Sequence, residues 1–160
     1  HGGKGDPTAN GRLSTWERGE ISVKDLGEAL DRFKPEVEVL VVMVQCYSGA
    51  FANVLFEGGN PDRPVASHHR AGFFATVDSR PAAGCSADTK VADYREYSTS
   101  FLAALCGKDR QGEAIEADDI DEDGTISFVE AHAYAVETSP TIDICYRTSD
   151  RYLQTQSRLD

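Results

Sequence analysis

The sequence predicts an α/β fold, a mostly parallel sheet flanked by helices. Three observations carry this reading. Residues 37–45 (VEVLVVMVQ) are β-branched and almost wholly apolar, as expected of an inner strand covered on both faces. Residues 23–33 and 94–105 carry apolar side chains at intervals of three and four, each making one helical face. Strand-like and helical stretches alternate along the chain, the order of a sheet with helices packed on it.

The elements follow in order. The first twenty residues are rich in Gly and polar residues and read as a loop. Ser22 is placed to cap a helix over 23–33, with Val23, Leu26, Leu30 and Phe33 on its buried face, Asp25 in its first turn and Pro35 ending it. Residues 37–45 are the strand, and Cys46 stands at its carboxyl end. A polar loop over 58–70 leads to a second inner strand, 71–77 (AGFFATV), broken by Asp78, Ser79 and Pro81. Tyr94, Tyr97, Phe101 and Leu105 mark the second helix, stopped by Gly107. After an acidic loop, residues 128–136 read as helical and 142–146 as a last short strand. In open α/β sheets ligands bind beyond the carboxyl ends of strands, which is where Cys46 lies.

Composition narrows the function. The chain has 160 residues, 40% of them hydrophobic and 27% charged, which fits one globular domain with a substantial core. A formal net charge of -11 without any basic run argues against nucleic acid or an anionic membrane surface as partner. The longest apolar run, residues 39–44, is far too short to span a bilayer. Cys46, Cys85, Cys106 and Cys145 show no C-x-x-C pair or zinc spacing. The chain opens on His1 with neither Met nor leader, and reads as a fragment or processed chain whose upstream part is absent. That leaves the compartment open.

Cys46 lies in Q-C-Y-S-G, where Ser and Gly let the chain turn sharply and a substrate backbone approach. Taken alone, a Cys ending an apolar strand is usually a core residue. His1, in H-G-G-K-G-D, precedes it at close to the distance of about 50 residues known from caspase signatures. The order of parts is specific: H-G, a Gly-rich loop, a helix containing V-K-D-L, a buried apolar strand, then C-x-S-G. With F-F-A-T-V-D-S-R-P and S-T-S-F-L-A-A-L-C-G following, nearly the whole chain resembles the caspase-fold cysteine peptidases, nearest to legumain-like and bacterial caspase-like members. The resemblance implies a caspase-like fold whose N-terminal strands are missing from this chain, so the missing N-terminal part of the same domain is an expected partner.

The resemblance also implies a cysteine endopeptidase acting on a peptide or protein substrate. Cys46 would be the nucleophile, His1 the general acid/base, and the backbone N–H groups of Gly2 and Cys46 the oxyanion hole. A thiol with a pKa of about 8.5 is largely protonated at neutral pH, so a neighbouring imidazole raises its reactive fraction. Many relatives carry an acidic or amide residue two positions before the nucleophile. Val44 stands there, so no preference at the cleavage site carries over. Asp78 and Ser79 are candidates for the substrate pocket, or are simply a turn. His68, His69 and His132 read as surface or packing residues. The alternative from another class is a catalytically inactive caspase-fold module that binds partners or calcium.

Asp119, Asp121, Asp123, Gly124 and Glu130 fit D-x-[DN]-x-[DN]-G-x5-E, the EF-hand calcium loop. In that loop Asp119, Asp121 and Asp123 supply carboxylate oxygens, Gly124 the sharp turn, Thr125 its carbonyl, Ser127 a contact through water and Glu130 a bidentate carboxylate. The expected ion is Ca2+, structural or regulatory, with no organic cofactor. The bland reading is a solvated acidic turn that caps the following helix.

Overall fold

The structure is a computed structural model and describes residues 2–4, 11–83 and 96–157. His1, Cys85 and Tyr94, all singled out above, lie outside the described residues. The chain is mixed α/β, with small sheets flanked by helices. Its contacts divide into two compact units, residues 1–81 with 144–160, and residues 82–143.

The first unit holds two three-stranded sheets. One is antiparallel: β1 (Gly2–Gly3), β2 (Arg12–Ser14) and β3 (Glu20–Ser22), with Gly2 opposite Leu13 and Leu13 opposite Ile21. The expected loop over the first twenty residues is therefore in part a hairpin. Its strands are too short for an alternating pattern to stand out. Helix α1 (Val23–Leu30) follows at once. Ser22 caps it, accepting from the Asp25 N–H, while the Asp25 carboxylate accepts from the Ser22 N–H, so two otherwise unpaired donors are satisfied. The helix ends three residues sooner than the apolar spacing predicts.

The second sheet has the order β4 (Val39–Met43), β5 (Arg70–Phe74), β6 (Tyr146–Arg147). β4 and β5 are parallel, with Val39 opposite Arg70 and Met43 opposite Phe74; β5 and β6 are antiparallel. Val39, Val41 and Met43 pack against the buried cluster of Val23, Leu30, Phe51, Val54 and Phe74. Leu40, Val42 and Val44 are 41%, 40% and 36% exposed. The strand expected to be covered on both faces is thus covered on one. Sequence cannot separate these cases, because the outer residues are as apolar as the inner ones.

Between β4 and β5 the chain forms a 3-10 helix, Ser48–Leu55, almost entirely buried. Helix α4 (Thr148–Gln156), unforeseen in the sequence, closes the unit; the Thr148 hydroxyl accepts from the Gly72 N–H at 3.1 Å. Of the strand expected over 142–146, only Tyr146 pairs.

The second unit is built on α2 (Tyr97–Cys106) and α3 (Phe128–Thr138). Phe101 stacks on Phe128 with ring centroids 6.2 Å apart, and the buried Tyr97 hydroxyl lies 2.8 Å from His132 Nδ1. His132 is therefore a packing residue, as expected from sequence.

Candidate active site and acidic loop

The site of the first unit is organised by close backbone approach. Gly2 lies against Cys46: a Cβ built on Gly2 would fall 1.8 Å from the Cys46 carbonyl oxygen and 2.7 Å from Gln45 Cγ. Only glycine fits there. Behind it, a Cβ on Gly11 would fall 2.6 Å from Ala50 Cβ, so the small sheet packs tightly on the turn that follows the cysteine. Cys46 itself is 5% exposed.

The turn after Cys46 is strained. Tyr47 has φ 58° and ψ 21°, the left-handed region that costs a non-glycine residue about 1–2 kcal/mol. Neighbouring contacts hold it there. Its N–H donates to the Arg80 carbonyl at 2.9 Å, and its own carbonyl accepts from Ala50 N–H at 3.2 Å. The buried Ser48 hydroxyl lies 3.3 Å from both the carbonyl oxygen and the amide nitrogen of Thr76. A Cβ on Gly49 would fall 2.7 Å from the Thr76 carbonyl oxygen and 2.8 Å from Asp78 N. The small residues of C-x-S-G therefore serve packing on the chain that leaves β5. Their role as a path for substrate, expected from sequence, is not needed to explain them. Strain over-determined by its surroundings is a recurrent feature of functional sites.

Asp78 and Ser79 are exposed and stand just before Arg80, whose carbonyl holds Tyr47. This places them on the turn that buttresses the cysteine. Beside it lies a polar group that sequence reasoning missed. The Arg151 Nε donates to Oδ1 of the buried Asn53 at 2.6 Å, and the Tyr146 hydroxyl donates to Gln154 Oε1. Burial pushes Tyr146 up to about 12 against the opposing charge of Arg151, with Asp78 and Asp150 adding to the rise. The one signal in the sequence was Asn53 within A-F-A-N-V-L, a polar side chain in an apolar run that must find a partner when buried.

In the second unit, Asp119, Asp121 and Asp123 each place a carboxylate oxygen so that all three lie within 4.8 Å of one another. Asp119 accepts from the Gly124 N–H at 2.8 Å, and Asp123 accepts from the Thr125 N–H at 2.8 Å and hydroxyl at 2.7 Å. Gly124 adopts φ 85°, the conformation for which the motif requires glycine. Glu130 stands outside this cluster. Its carboxylate accepts from Ser127 N–H at 2.8 Å and Ile120 N–H at 2.7 Å, forming a capping box with Ser127. The Ser127 backbone and hydroxyl, then the Ile120 amide, hold it down to about 2. The capping role and the loop thus coexist in one residue, and the acidic triad has the donor chemistry for a hard divalent cation.

His1 lies outside the described residues, so the geometry brings together Gly2 and Cys46 from the predicted catalytic set, and Asp119, Asp121, Asp123 and Thr125 from the predicted metal set. The chain matches no protein-family model, no curated protein and no solved structure, and the functional reading rests on the residues themselves.

Proposed function

We propose that this chain is a cysteine-type endopeptidase of the caspase-like fold, nearest to the legumain-like and bacterial caspase-like peptidases. The observation that supports it is the contact of Gly2 with Cys46, which joins the H-G and C-x-S-G motifs across the sequence. The Cys46 thiolate attacks the scissile carbonyl carbon, and the oxyanion is received by the N–H groups of Gly2 and Cys46, each worth about 3 kcal/mol in such sites. His1 takes the thiol proton and gives it to the leaving amine. Water then hydrolyses the thioester, with His1 as base, and the acid product leaves. Asp78 and Ser79 contribute to the substrate-binding edge. A thiol-directed acyl-peptide probe is expected to label the chain at Cys46, and Cys46→Ala to abolish both labelling and peptide cleavage. In the protein with its upstream strands, His1→Ala is expected to lose several orders of magnitude in turnover while the fold stays intact. Absence of labelling in folded protein favours the inactive binding module instead.

The same reading assigns a partner to β4. Val39 N–H donates to the His69 carbonyl and the Met43 carbonyl accepts from Ala75 N–H, so odd-numbered residues face β5 and the N–H and C=O groups of Leu40 and Val42 point to an edge that is open among the described residues. An open edge joined to an apolar outer face calls for cover. Further strands of the same domain, N-terminal to His1, supply it in this reading.

For the second unit we propose calcium as the ion of the 119–130 loop. The acidic triad and the positive φ of Gly124 support this, and Thr125 would add its carbonyl. Glu130 would join as ligand only by releasing part of its hold on the Ile120 and Asp121 amides. A ligand that binds only the folded form adds about 2.7 kcal/mol at a hundredfold excess over Kd. Tm is expected to rise with calcium and Asp119→Ala to remove most of that rise. Identical melting with calcium and with chelator returns the loop to a solvated acidic turn.

A further inference from the structure

The hairpin of β2 and β3 ends in a turn over residues 15–19 that presents Trp16, the single tryptophan of the chain, at 91% exposure. The turn is fixed. Thr15 N–H donates to the Gly19 carbonyl at 2.8 Å, Glu17 is held at φ 61°, and a Cβ on Gly19 would fall 2.4 Å from Thr15 Oγ1. A rigid turn that offers a whole indole to solvent has already met the ordering cost of an interface anchor, and Trp is the residue type most enriched at binding hot spots. Its position says what it would meet. Leu13 pairs with Gly2, and Gly2 lies on Cys46. Trp16 is three residues beyond Leu13, within about 10 Å along the strand at roughly 3.4 Å per residue. The Cys46–Gly2 contact and the Gly2–Leu13 pairing add about 5 Å each, so an extended polypeptide bound through Cys46 reaches the indole within about six residues.

We infer that Trp16 is a docking residue for extended polypeptide substrate, contacting an apolar or aromatic side chain a few residues from the scissile bond. The inference rests on the peptidase reading of the Cys46 site. It makes the enzyme selective for long chains over short peptides, because a short peptide ends before it reaches the indole.

Two measurements test it. In the Cys46→Ala chain, Trp16 emission is followed while oxidised insulin B chain, an extended polypeptide without tryptophan, is added. A saturable shift to shorter wavelength is expected as the indole leaves water. In the active chain, Trp16→Ala is expected to raise KM for the B chain about tenfold with kcat unchanged, to leave cleavage of a short reporter peptide unaltered, and to be largely rescued by Trp16→Phe. Equal KM for Trp16→Ala and wild type overturns the inference while the peptidase reading stands. If the full-length protein, upstream strands included, cleaves nothing, the peptidase reading fails, and the emission arm decides Trp16 on its own: a saturable shift supports polypeptide docking, and an unmoved spectrum overturns it.

Discussion

At the amino end of the β4–β5 pair, side-chain charge and hydrogen bonding hold the chain; at its carboxyl end, backbone contact does. The amino end centres on Arg70, whose side chain is 1% exposed. It donates to Asp31 Oδ1 at 2.7 Å, to the Val54 carbonyl at 2.7 Å and to His68 Nε2 at 3.0 Å, while Asp31 Oδ2 accepts from Gly58 N–H. One guanidinium thus ties α1, the 3-10 helix and the loop before β5. At the carboxyl end, Gly2, Gly49 and Ser48 allow segments to approach within distances no larger side chain permits. The difference predicts different casualties: folding at one end, the proposed chemistry at the other.

The largest expected effect is at the charged end. Asp31→Ala leaves a buried guanidinium short of its carboxylate, which costs about 3 kcal/mol, the lower part of the range for broken buried pairs because Asp31 is itself 31% exposed. The exposed Arg12–Glu20 pair is the internal control, and Glu20→Ala is expected to cost below about 1 kcal/mol. Denaturant unfolding measures both, and equal losses would show that burial does not distinguish these pairs.

Next comes the contact end. Gly2→Ala must push β1 away from the Cys46 carbonyl, and a displacement of about 1 Å at a reacting centre costs roughly a hundredfold in rate, or about 2.7 kcal/mol of barrier. Stability is expected to fall by no more than about 1 kcal/mol, since β1 is short and at the margin of its sheet. Unfolding of Gly2→Ala as ready as that of Asp31→Ala would show that both ends serve folding alike. Peptide cleavage lost from protein that melts normally would confine the role of Gly2 to the proposed reaction.

The two ends were unequally legible in sequence. Cys46 and Gly2 stood in local motifs, and α1 announced itself by its Ser cap and apolar spacing. The Arg70 network was invisible, because Asp31, Val54 and the His68–Arg70 pair come from three separate segments and a buried arginine looks like any surface one until the fold is known. The exposed face of β4 and the hairpin under Trp16 were missed for related reasons: apolarity does not say which face is covered, and strands of two or three residues carry no period. In the acidic loop the spacing gave the triad, while Glu130 proved to hold backbone amides as well, a dual role that a ligand pattern does not encode.

The smallest expected effect is a pH dependence at the charged end. His68 is 4% exposed, and its Nε2 accepts from Arg70 Nε, so the ring is neutral with its proton on Nδ1. Burial lowers its pKa first, the Arg70 charge lowers it further, and Asp31 opposes while His69 adds to the fall. In the unfolded chain the imidazole takes up its proton near 6.5. Below that value the unfolded state binds more protons than the folded state, so the contribution of His68 is fully present above about 6.5 and declines as pH falls toward the lower folded value. Unfolding free energy measured from pH 8 to pH 5 is therefore expected to drop, and the drop to be shallower in His68→Gln, whose side-chain oxygen can still accept from Arg70 and does not titrate. A slope that survives His68→Gln intact would move the titration elsewhere and leave the Arg70 network as a purely structural clamp.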